Sequence, residues 1–109
     1  MRFPVGSVAS FGHRISGVVL VSVLPFAALA LQRSLDGEDA FSSLVQKLQS
    51  PSGRVVLGVV AWASAHHLFA GIRHLLMDVG IGSSLAAARA SAYAVLVAAA
   101  LVGAAALIT

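Results

Sequence analysis

The chain has 109 residues, 59% hydrophobic and 10% charged, with a net charge of +3 and no cysteine. At that length it forms at most one domain, residues 1–109, and a mean hydropathy of +0.95 is too apolar for a water-soluble one. The basic pI of 10.7 does not indicate nucleic-acid binding, because the seven Lys and Arg are scattered; the missing cysteines exclude disulfides, thiolate metal sites and thiol nucleophiles.

The expected fold is an all-α membrane protein. Three apolar runs, about residues 15–31, 55–77 and 90–108, are close to the length that crosses a bilayer. They lack strand alternation, and lipid tolerates only helices or closed barrels, so each run is read as a transmembrane helix. Phe3-Pro4-Val5 reads as a short N-terminal segment lying at the membrane interface. The first run is expected to remain as a span; Ala28-Leu29-Ala30 only weakly mimics a signal-peptide cleavage site. The absence of an Arg- and Ser-rich presequence points to a bacterial inner membrane.

The approach to the first span reads Ser10-Phe11-Gly12-His13-Arg14-Ile15-Ser16-Gly17. Ser10 and Arg14 are spaced i, i+4 and share a helix face. Such a pair suits a haem propionate or a quinone carbonyl, with the serine donating and the guanidinium drawing charge. Its plainer reading is a helix cap and an interfacial anchor. Within the first span, Pro25 is expected to kink the helix or free a carbonyl.

The connection to the second span carries Asp36-Gly37-Glu38-Asp39, a turn with a helix cap. Phe41, Leu44, Val45 and Leu48 then recur at helical spacing. They predict an amphipathic surface helix, ended by Pro51-Ser52-Gly53.

The second span carries His66 and His67 near its middle, then Arg73 and His74. Ionisable groups at that depth are costly and usually serve a function. At about 100° per residue, Gly71, His74 and Asp78 fall within about 40° of His67 and form one stripe with it. His66 lies about 100° away and shares a face with Arg73. An interhelical hydrogen bond, a proton relay and haem ligation all fit an imidazole here. The other spans offer no carboxylate for a relay. Haem b fits better, since Gly71, with Ala63 and Ala70 nearby, leaves space for a flat porphyrin. If the iron takes two histidines, the second must come from another chain. No histidine lies at depth in the other spans, and His66 cannot reach the far side of the same iron.

The third span is rich in alanine, with Tyr93 as an interfacial anchor and Gly103 on a smooth face. It reads as a lipid-facing span without a site of its own. Arg2, Arg14, Arg73 and Arg89 lie at one end of the bundle, and Arg33, Lys47 and Arg54 at the other. The count of four against three predicts a cytoplasmic N-terminus.

Ser10-x-x-His13-Arg14-x-Ser16-Gly17 followed by His67-x-x-x-Gly71-Ile72-Arg73-His74-x-x-x-Asp78 resembles the cytochrome b subunit of succinate dehydrogenase, the large membrane anchor of respiratory complex II. The resemblance covers nearly the whole chain. It implies a heterotetramer with a flavoprotein, an iron–sulfur protein and a second membrane anchor, which passes electrons from succinate to ubiquinone, or in some relatives menaquinone. It implies His67 as the axial ligand of haem b, with the partner anchor supplying the other. It implies Ser10 and Arg14 at the quinone, His13 and Arg14 near the haem propionates, and supporting places for Gly71, His74 and Asp78. Phe11-Gly12 depart from the aliphatic residues common in that family. The alternatives are the anchor of a related fumarate reductase and a non-redox helical scaffold or transporter subunit.

Overall fold

The structure is a computed structural model and describes residues 5–109. Arg2, Phe3 and Pro4, with most of the expected interfacial segment, lie outside the described residues; Val5 is already helical. Four helices follow: α1 (Val5–Ser34), α2 (Glu38–Gln49), α3 (Pro51–Asp78) and α4 (Leu85–Ile108). Helices α1, α3 and α4 are long and apolar enough to cross a membrane. Each contains one of the three apolar runs and extends beyond it.

The extensions matter for the site. At 30 residues, α1 is about 45 Å long, against a hydrocarbon core of about 30 Å. Its first turns, which carry Ser10, His13 and Arg14, are therefore a continuation of the span. Pro25 does not end α1; its missing amide leaves the Val21 carbonyl without the usual donor.

Helix α2 is the expected amphipathic connector. Leu44, Val45 and Leu48 are half-buried, while Phe41 stays exposed. The expected cap differs: Gly37 holds the N-cap position and makes no side-chain bond. Glu38 and Asp39 instead place negative charge in the first turn, where the helix dipole favours it. Pro51 also differs from expectation. It opens α3, behind Ser50, whose hydroxyl accepts from the Gly53 amide at 3.1 Å. Proline suits a first helical turn because its absent N–H has no partner there anyway.

Helix α3 ends in a Schellman turn. The Ile81 amide donates to the Leu76 carbonyl at 2.8 Å and the Gly80 amide to the Met77 carbonyl at 3.0 Å. Gly80 adopts φ 83°, a left-handed conformation that side chains disfavour. The chain thereby reverses into α4 within a few residues, and Ser84 caps the new helix through the Ala87 amide.

The core consists of small side chains. Ala9, Ala63, Ala65, Ala70, Ala92 and Ala99 are buried. Helices α3 and α4 lie close together at Gly58 and Gly103, where a Cβ on Gly103 would lie 2.9 Å from Trp62 Cβ. Without a hydrophobic driving force in lipid, this close backbone approach supplies the packing energy. The larger apolar residues, such as Val18, Leu24, Phe26, Leu75 and Leu101, point outward.

Candidate functional site

Helix α1 packs its first half against the second half of α3, bringing the two sequence motifs together. His13 is stacked on His67, with ring centroids 4.3 Å apart and planes 12° apart. It also stacks on His74, at 5.4 Å and 20°. One turn of α3 separates each of these histidines from Gly71, and the His13 ring lies over that glycine. A Cβ on Gly71 would come within 3.6 Å of His13 Nε2. The group beside Gly71 in this structure is thus the His13 imidazole. The three rings present their faces to one another, so their nitrogen lone pairs do not converge. Among the described residues there is no cluster of three or more side chains arranged to hold a bare metal ion.

The hydrogen bonds of His67 define its tautomer. Its Nδ1 lies 3.3 Å from the His13 carbonyl oxygen and 3.3 Å from Ser16 Oγ. Ser16 spends its own proton on the same carbonyl, at 2.8 Å. Both neighbours can then only accept, so Nδ1 carries the hydrogen and Nε2 carries the lone pair. Gly17 fits against this ring: a Cβ there would lie 3.2 Å from His67 Cε1.

His66 adopts the opposite tautomer. It is fully buried, and its Nε2 donates to the Ala9 carbonyl at 3.2 Å. Trp62 stacks on it at 5.5 Å. As the helical geometry predicts, it shares the core face with Arg73.

Arg73 sits differently from the interfacial flank expected of it. It is only 8% exposed and reaches across to α4. Its Nε donates to Ser91 Oγ at 3.0 Å and its Nη2 to the Ala88 carbonyl at 3.2 Å. Helix α4 is accordingly more than a lipid-facing span, because it holds a buried cation of α3.

Below the histidine stack, at the end of the bundle where α1 begins and α3 ends, lies a cavity of about 640 Å³. Ser10, Arg14, His74, Asp78, Arg73 and Arg89 contribute to its lining. Its size suits a small organic molecule or the edge of a larger one. Its lining includes three arginines and one aspartate, so it favours electron-rich or anionic oxygens. His74 belongs to both regions and joins the stack to the cavity; its Nδ1 is bonded within its own helix to the Ala70 carbonyl, at 3.2 Å.

The residues expected from sequence thus form two adjoining groups. His13, His67, Gly71 and His74 make the stack, and Ser10, Arg14, His74 and Asp78 line the cavity. Sequence reasoning placed Ser16 and Gly17 in the motif without a role of their own, counted Arg89 only among the basic residues at one end of the bundle, and assigned nothing to Ser91. Ser16 and Gly17 follow His13 by three and four residues, which places them on the strip of α1 that meets His67. Arg89 and Ser91 carried no comparable signal, since their neighbours are mostly alanine.

Residues 1–106 match the family described as succinate dehydrogenase/fumarate reductase transmembrane subunit. The chain is 43% identical over 98 residues to the succinate dehydrogenase cytochrome b556 subunit of Coxiella burnetii, covering 88% of this chain and 78% of that one. It is 30% identical over 95 residues to the protein of the same name from Paracoccus denitrificans, covering 87% of this chain and 73% of that one. This multi-pass membrane protein therefore belongs to the succinate dehydrogenase/fumarate reductase transmembrane subunit family, as a membrane anchor of the cytochrome b556 type.

Proposed function

We propose that the chain is the haem b-binding anchor of a succinate:quinone oxidoreductase and forms part of the site where ubiquinone is reduced. The observation that carries the haem assignment is the pair of oxygens facing His67 Nδ1, the His13 carbonyl and Ser16 Oγ. A metal-binding imidazole normally donates its second ring hydrogen to a carbonyl or carboxylate, which fixes the ring and raises its basicity. His67 does this through Nδ1, so that its Nε2 would hold the iron. His66 has its Nε2 committed to Ala9 and its Nδ1 sealed in the core, so it is not the ligand. Gly71 and Gly17 add no side chain of their own beside the ring, one face of which is stacked on His13, and His13 and Arg14 would contact the propionates. Held there, a haem would supply one-electron storage.

The rest of the work belongs to this chain's own side chains. Arg14, facing the cavity, stabilises negative charge as it develops on a quinone oxygen. Ser10, one turn before it, orients the ring by hydrogen bonding. Asp78 and His74 line the same cavity and are placed to pass protons toward that oxygen. Oxidation of succinate falls to a flavoprotein and electron transfer to an iron–sulfur protein, while a histidine of a second anchor would complete the hold on the iron. The cavity end of the bundle, with the N-terminus of α1, faces the cytoplasm of a bacterial inner membrane.

In the assembled complex, Arg14→Ala is expected to lower quinone reduction at least tenfold while succinate oxidation by an artificial dye is retained. Undiminished quinone reduction would remove Arg14 from the site.

A further inference from the structure

His66 is the largest side chain wholly withdrawn from the surface, and its Nδ1 has no partner. An unpaired nitrogen in the core is destabilising, and a hydrocarbon ring would fill the same space without that penalty. What the imidazole adds is the donor at Nε2, directed at the Ala9 carbonyl. The carbonyl that takes His67 Nδ1 belongs to His13, one turn further along α1. Two consecutive residues of α3 thus hold two consecutive turns of α1, and sliding one helix past the other breaks both bonds together. Gly12 lies between them and provides the room, since a Cβ there would come within 2.5 Å of His66 Nε2.

We propose that His66 is a positioning residue for its neighbour: by holding the Ala9 carbonyl it sets the height of α1 on α3, and so the direction in which His67 presents Nε2. The inference rests on the reading of His67 as the iron ligand. His66 never touches the metal. It acts through the His13 carbonyl, whose location decides how the His67 ring is turned.

The test uses the whole complex in its membrane, with His66→Phe, His66→Gln and His67→Ala. Phenylalanine keeps the ring and loses the donor; glutamine puts an amide N–H close to the place of Nε2. Dye-linked succinate oxidation reports assembly, haem per flavin reports occupancy, and the electron paramagnetic resonance g values of the ferric haem report ligand orientation. His66→Phe is expected to assemble with a shifted g value and reduction potential, and His66→Gln to return both toward those of the natural protein. An unmoved signal in His66→Phe, or an equal shift in both variants, would overturn the inference. If His66→Phe fails to assemble, glutamine decides: a natural signal supports the inference, and an absent or shifted one overturns it. Lost haem in His67→Ala beside an unmoved signal in His66→Phe refutes the positioning role alone, whereas haem retained in His67→Ala removes the ligand reading and the inference with it.

Discussion

Two adjacent histidines with opposite tautomers show how much one helical step decides. His67 lies at the edge of the α1–α3 contact with a nitrogen to spare, and His66 lies inside it with none available. The angular separation was legible in the sequence, because about 100° per residue puts neighbours on different faces. The tautomers were not, because they depend on the carbonyls of another helix. Gly17 gives a direct check on the His67 environment. Its place is already tight, so Gly17→Val forces the ring to move and costs about 1–3 kcal/mol of packing. Haem per flavin in the purified complex is expected to fall well below that of the natural protein, with dye-linked succinate oxidation retained. Full occupancy would show that the ring has room to spare.

Among the elements, apolar runs and helical period located all four helices, and capping residues shaped their ends. Pro51 reads as a terminator in the sequence because proline breaks helix interiors, yet the same residue starts α3 once Ser50 provides a cap. The place of Arg73 was hidden for a different reason. Counting positive charges puts an arginine at the interface, and only the arrival of α4, with Ser91 and the Ala88 carbonyl, gives it partners in the core. The two sides of that contact are unequal. Without Arg73, Ser91 still donates to the Ala88 carbonyl at 3.1 Å. Without Ser91, the buried Nε of Arg73 loses its acceptor. Ser91→Ala is therefore expected to destabilise the α3–α4 pair by about 1–3 kcal/mol. Thermal unfolding of the complex in detergent measures this, and an unchanged midpoint would show that Arg73 finds another acceptor.

At the scale of the whole molecule, the site is divided between what this chain holds and what it leaves open. It gathers the histidine stack on α1 and α3 and, at the adjoining level, a cavity that α4 also lines; in the proposed function these would serve an electron carrier and its acceptor. On the proposed reading it would offer His67 Nε2 for an iron, and large apolar residues around the bundle remain outward. The central claim is that His67 Nε2 binds the iron. The reduced-minus-oxidised spectrum of the complex carrying His67→Gly, recorded with and without added imidazole, tests it most directly. The b-type bands are expected to disappear in the variant and to return when imidazole occupies the space of the lost ring. Bands of natural intensity in His67→Gly without imidazole would contradict the account.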